Sequence, residues 1–164
     1  MAGDTIGDFL HPKLTWKFLL RLAAVALTAY LIFGYLLIPC IIHGGSMEPT
    51  YASTGFNFCW RGAFFFDKPK IGDVVVVKYE DRVFYLKRVV GMPGDTISFY
   101  EGKLYRNGQQ VEEPYVKLPS DWNLPPRHVE KGHYYVVGDN RSMDIDIHQF
   151  GQVAAKRIIG APLW

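Results

Sequence analysis

Residues 73–95 read DVVVVKYEDRVFYLKRVVGMPGD. Short runs rich in Val, Tyr and Phe, closed by a Gly-Met-Pro-Gly turn, have the composition of β-strands. The same composition returns downstream in DTISFY, KLYRNGQQV and HYYVVGDN. Asn107-Gly108, set between KLYR and QQV, is a type I′ hairpin signal, because both positions of that turn need positive φ. The stretch from Val116 to Lys131 carries Pro119, Pro125 and Pro126 among polar neighbours and reads as a loop. Little in this half reads as an amphipathic helix, and no repeat interrupts it. Residues 43–164 are therefore predicted to form a single, mainly β domain, an antiparallel sheet or barrel-like fold.

Upstream the pattern is different. From Leu22 to Ile42 no residue carries a charge, and at ~1.5 Å rise per residue a helix of this length reaches about 30 Å, enough to cross a hydrocarbon core. The run is read as one transmembrane helix with Gly34 and Pro39 inside it. It is too long for the apolar region of a cleavable signal peptide, and no small-x-small site precedes Gly44-Gly45. Lys13, Lys17 and Arg21 flank its N-terminal side, whereas His43 to Phe58 holds no Lys or Arg, which places the N-terminus in the cytoplasm. The expected organisation is a short cytoplasmic segment (1–21), an anchor (22–42) and a β-rich domain (43–164) on the outer face of the membrane.

The 164 residues suffice for one domain and an appendage. A net charge of +2 without a Lys/Arg cluster argues against a nucleic-acid partner. Cys40 and Cys59 lack CxxC or zinc spacing and read as two unpaired, small apolar side chains. In FNFCWRGAFFF (56–66), Phe56, Phe58 and Trp60 alternate as one strand face and are expected in the core. Phe64, Phe65 and Phe66 do not alternate, so at least one is expected to be exposed or to cap a sheet edge, with a patch dipping into the membrane as one reading.

Directly after the apolar run, residues 43–50 read HGGSMEPT. A nucleophile needs a small, sharply turning backbone that exposes its oxygen and admits a substrate carbonyl, and two glycines ahead of Ser46 supply one. No histidine forms a local catalytic pattern with Ser46. Lys87, inside an apolar strand, is the candidate base, on one condition. With an unperturbed pKa near ~10.4 it is neutral at pH 7 in only about one molecule in 2,500. Burial that lowers the pKa to roughly 8 makes about one in ten neutral, at a cost of ~3 kcal/mol. Because Lys87 and Arg88 alternate, one of them is expected to face solvent.

The blocks GGSMEPT, KIGDVVVV, LKRVVGMPGD and GDNRSMDIDIHQFG, in this order after an N-terminal anchor, resemble the type I signal peptidases, membrane-bound Ser/Lys endopeptidases. The resemblance implies an antiparallel β-domain beside the membrane, Ser46 as nucleophile and Lys87 as general base. Its implied site support comprises Gly44, Gly45, Asp139, Asn140, Asp146 and His148. In the family the last block carries serine, aspartate and arginine at alternate positions, here Asp144, Asp146 and His148, so only the aspartate is kept. Imidazole in place of guanidinium weakens the ion pair expected there. A metal site is the other reading of those three residues, since i, i+2, i+4 spacing on a strand puts them on one face, but the implied chemistry needs neither metal nor cofactor. The implied substrates are exported preproteins cut after small residues that end their signal peptides. The implied partners are the lipid bilayer and, in proximity, the secretion translocon, and the implied location is the inner membrane. Two alternatives stay open at this level: a specialised or organellar processing peptidase of the same family, and a non-catalytic tethered β-domain that binds extended peptides by strand addition.

Overall fold

A computed structural model describes residues 14–80, 83–145 and 151–164. Helix α1, Trp16–Leu31, opens on an N-cap in which the Thr15 hydroxyl accepts a hydrogen bond from the Phe18 amide at 3.3 Å. A π-helical stretch, Ile32–Leu36, continues it, and none of its described side chains is buried. The apolar helical span is thus Trp16–Leu36, 21 residues, about 31 Å at ~1.5 Å per residue.

The helical span begins and ends earlier in the chain than the uncharged run 22–42. Lys17 and Arg21 lie within α1, not before it, and the helical unit ends at Leu36. Leu37–His43 is strand β1, paired along its whole length with β2, Thr54–Trp60. Pro39 explains the switch. It has no N–H to donate and would break a helix at this point, but an edge strand has one side on which no donor is needed. β1 is such an edge.

Among the described residues the β unit, Leu37–Trp164, holds two antiparallel sheets. The first has seven strands in the order β1-β2-β11-β3-β4-β9-β10, where β3 is Val74–Glu80, β4 Val83–Gly91, β9 His133–Val137, β10 Gly151–Ala154 and β11 Ile158–Pro162. The second runs β7-β6-β5-β8, with β5 Thr96–Tyr100, β6 Lys103–Arg106, β7 Gln109–Gln110 and β8 Leu124–His128. The unbroken Val74–Val77 run follows from burial on both faces. Val75 and Val77 pack with Val89, Tyr134 and Val136, while Val76 packs on the other side with Cys40 and Cys59. A third cluster, around Ile97, Phe99, Leu104 and Trp122, fills the space against the second sheet. The mainly β, antiparallel class expected from the sequence is the observed one. The Asn107-Gly108 turn has φ of 55° and 79° and joins β6 to β7.

Two expectations from the sequence do not hold in the fold. The 116–131 segment contains β8, and Pro125 and Pro126 are accommodated because β8 is an edge strand whose register with β5 shifts at that point. In β2 the core face is the opposite one: Asn57 and Cys59 are buried, whereas Phe56 is 53% and Trp60 36% exposed. Both cysteines are free and buried. Phe64 packs against the Val75 cluster, while Phe65 and Phe66 are exposed.

Candidate active site

Lys87 sits in the middle of β4, opposite Val75, with only 3% of its surface exposed. Its Nζ donates to the Ser46 hydroxyl at 2.9 Å, across 41 residues of sequence. Burial draws the ammonium's pKa from 10.5 down to about 8, and the negative charge of Asp139 opposes part of that shift. A lysine so placed is neutral in about one molecule in ten at pH 7. Neutral, it accepts a hydroxyl proton at hydrogen-bond distance.

Ser46 is half-buried in the turn that leads out of β1. Gly44 has φ of +96°, which L side chains rarely adopt, and its N–H bonds the Ser53 carbonyl at 3.0 Å, closing the turn. Asn140 sets the peptide planes around the serine. Its side-chain amide donates to the Gly45 carbonyl at 2.9 Å, and its backbone N–H donates to the Ser46 carbonyl at 3.0 Å. In a trans peptide the C=O and the following N–H point opposite ways. With the Gly45 carbonyl turned to Asn140, the Ser46 N–H therefore points away from it, and it has no partner among the described residues.

Asp139 is fully buried and accepts from Arg88 Nε at 2.8 Å, Arg88 Nη2 at 2.6 Å and the Thr50 hydroxyl at 2.6 Å. The Arg88–Asp139 pair has no signature in the sequence. The expectation that Lys87 or Arg88 faces solvent is corrected: Lys87 is enclosed, and the Arg88 side chain is only 12% exposed. Strand alternation sends them to opposite faces, but the ion pair with Asp139, the Gly72 carbonyl at 2.6 Å and the Tyr115 ring 4.0 Å away cover the Arg88 side. The adjacent Arg141, also fully buried, holds Glu113 with two hydrogen bonds, and Tyr115 donates to that same carboxylate at 2.7 Å. Gly44, Gly45, Asp139 and Asn140 thus gather around Ser46. Asp146 and His148 lie outside the described residues. Among the described residues no His/Cys/Asp/Glu cluster suited to a metal is found.

Two clefts meet at the pair. One, about 30 Å³, is lined by Cys40, Ile42, Ser46, Val76, Phe84 and Leu86, room for little more than a methyl group or a water. The other, about 110 Å³, contains Lys87. A larger hollow of about 640 Å³ between Phe64, Met92, Tyr134 and Ile158 includes neither residue. Beside the small cleft, Val83–Lys87 of β4 pair with β3, pairing with β9 begins only at Arg88, and among the described residues the second edge of Val83–Lys87 is an open ladder.

Comparison with known proteins gives the family. The family model "Signal peptidase, peptidase S26" matches residues 15–163. The chain is similar to signal peptidase I of Bacillus licheniformis, 35% identical over 80% of this chain and 77% of that protein. It is similar to the probable signal peptidase I-1 of Synechocystis, 31% identical over 91% and 83%, and to thylakoidal processing peptidase 1 of Arabidopsis thaliana, 30% identical over 85% and 45%. A family match that spans the helical unit and the β unit alike means that this chain belongs to the signal peptidase family, peptidase S26, and is a serine endopeptidase.

Proposed function

We propose that Ser46 and Lys87 are the catalytic dyad of a membrane-anchored signal peptidase that cuts exported preproteins after a small residue. The observation that carries this reading is the 2.9 Å hydrogen bond between a nearly fully buried lysine and the serine hydroxyl. Neutral Lys87 takes the Ser46 proton as Oγ attacks the scissile carbonyl. The resulting oxyanion accepts from the Ser46 N–H, which Asn140 aims outward; a well-placed donor of this kind is worth about 2.7–4 kcal/mol in the transition state. Gly44 contributes no side-chain donor, so its part is to shape the turn. Protonated Lys87 then gives its proton to the leaving amine, the acyl group stays on Ser46, and Lys87 activates a water for release. Asp139 and Asn140 hold the loop; Asp146 and His148 are proposed as further support.

The substrate preference follows from the space available. The 30 Å³ cleft beside Ser46 has an apolar wall that suits an alanine-sized side chain. The open ladder of Val83–Lys87 suits an extended peptide, which would add as a strand. The bilayer is the proposed second partner. Trp60 pairs with Leu37, the first residue after the helical span, and exposed Phe56 pairs with exposed Ile41, giving the β1–β2 outer face an apolar, aromatic surface. Lys17 and Arg21 near one end of the span support a cytoplasmic N-terminus in an inner membrane, with the β unit on the outer side near the secretion translocon. The Arabidopsis relative's name keeps a dedicated organellar processing role as a second reading.

The test is incubation of the detergent-solubilised chain with a preprotein, followed by N-terminal sequencing of the product. A single new N-terminus after a small-x-small motif supports the reading. Uncut preprotein, or cuts at unrelated sites, contradicts it.

A further inference from the structure

The dyad is flanked by two clefts, and the proposed function places the acyl side of the substrate in the smaller one. Ser46, which keeps the acyl group, lines the small cleft; Lys87 lines the 110 Å³ cleft, and Tyr85 lines both. The second cleft therefore opens from the residue that must protonate the leaving amine. Its remaining walls include Val77, Tyr79, Gln152 and Arg157. Val75, Val77 and Tyr79 occupy alternate positions of β3, with Val75 opposite Lys87 and Val77 opposite Tyr85, so the cleft runs along one face of the sheet away from the dyad. The Tyr79 and Tyr85 rings meet edge to face at 5.3 Å and form its aromatic side.

At the far end is a cation held in place by backbone. Arg157 donates through Nε to the Lys78 carbonyl at 2.8 Å and through Nη2 to the Tyr79 carbonyl at 2.9 Å, and its guanidinium lies 5.4 Å from the centre of the Tyr79 ring. Neither partner carries a negative charge. No carboxylate lies within salt-bridge distance of Arg157 among the described residues, and its Nη1 has no hydrogen-bond partner among them. Gln152 spends its side-chain carbonyl on the Glu130 amide at 2.6 Å, which leaves its NH2 donors for the cleft rim. The lining thus combines an apolar floor, an aromatic side and donors with no carboxylate partner among the described residues, a set suited to an acidic side chain.

We propose that this cleft receives the substrate residues that follow the scissile bond, and that Arg157 selects an acidic side chain among them. The inference rests on the assignment of Lys87 as the base and general acid. Tyr79 is four residues along β3 from Val75, roughly 14 Å at ~3.4 Å per residue, so an extended product segment brings its third or fourth residue to Arg157. Arg157 is a specificity residue: it touches the substrate and not the reacting bond.

The experiment uses the full chain in detergent and a series of internally quenched peptides with one common small-x-small site. Aspartate or lysine is walked through positions one to four after the cut and, as a control, two to four before it. We expect aspartate at the third or fourth position after the cut to exceed lysine there by about two- to fivefold in kcat/KM, the worth of one partly exposed ion pair. The preference should shrink with added salt, vanish in Arg157→Gln and persist in Arg157→Lys. A wild-type rate indifferent to charge at every position overturns the proposal, as does a preference that survives Arg157→Gln. A preference confined to positions before the cut overturns the leaving-side assignment. If Arg157→Gln fails to fold, Arg157→Lys still reads the site, and a wild-type preference that does not shrink with salt overturns the proposal. Failure of the wild-type chain to cut any peptide would instead overturn the dyad assignment, and this inference with it.

Discussion

With its pKa drawn from 10.5 to about 8 by burial, Lys87 destabilises the folded state by about 3 kcal/mol at pH 7. Below pH 8 both folded and unfolded chains carry the proton, and the full penalty applies. Between about pH 8 and 10.5 the unfolded chain binds more protons, so stability rises with pH; above 10.5 the penalty is gone. Lys87→Met should accordingly be inactive yet more stable than wild type at pH 7, by up to about 3 kcal/mol, with the two denaturant midpoints converging by pH 10.5. Equal stabilities at pH 7 would mean the lysine is not buried in the charged form. Asp139 acts in the opposite sense, since its charge holds the Lys87 pKa up. Asp139→Asn should therefore move the rise in activity to lower pH. It also leaves Arg88 buried without its carboxylate and should cost about 3 kcal/mol of stability. Ser46 and Lys87 were legible in the sequence as a turn-bound serine and a lysine in an apolar strand. The Arg88–Asp139 pair was not, because its members lie 51 residues apart and neither carries a local signature of the other.

At the scale of elements, close approach decides which glycines matter. Gly160 lies in β11 where that strand passes between β2 and β3, and a Cβ added there would sit 2.4 Å from the Trp60 carbonyl oxygen and 2.8 Å from the Cys59 sulfur. Gly160→Ala should push β11 off β2 and cost several kcal/mol, on the order of 3. Gly108→Ala meets nothing within 4 Å and bears only the strain of its φ of 79°, so about 1 kcal/mol is expected, with activity intact. Thermal melts of both variants beside a peptide assay check the contrast. The strands that pair through local turns, such as β6 and β7 around Asn107-Gly108, were readable from residue pattern alone. β1 and β8 were not. β1 carries an apolar composition continuous with the helix, and β8 holds two prolines, and in both cases it is the edge position, a property of the assembled sheet, that permits the strand. The outward turn of Phe56 and Trp60 was hidden for a related reason: alternation shows that β2 has two faces, and only the packing of Asn57 and Cys59 shows which is inside.

For the whole molecule, the boundary between helix and sheet sets what can be removed. The β unit begins at Leu37, and β1 supplies Cys40 and Ile42 to the cleft beside Ser46. Deleting residues 1–36 should leave a folded unit that cuts short peptides, with preprotein processing at a membrane reduced more strongly because the anchor is lost. Deleting residues 1–42 should abolish both, since it takes an edge strand and one wall of the cleft. Gel filtration and a peptide assay on the two truncations separate these outcomes. Activation of Ser46 by a neutral Lys87 is read out by kcat/KM for peptide cleavage by the full chain between pH 6 and 10. A single rise with a midpoint near pH 8 and a plateau above it is expected. A midpoint near 6.5, the range of histidine, or a rate that falls across this interval would contradict it.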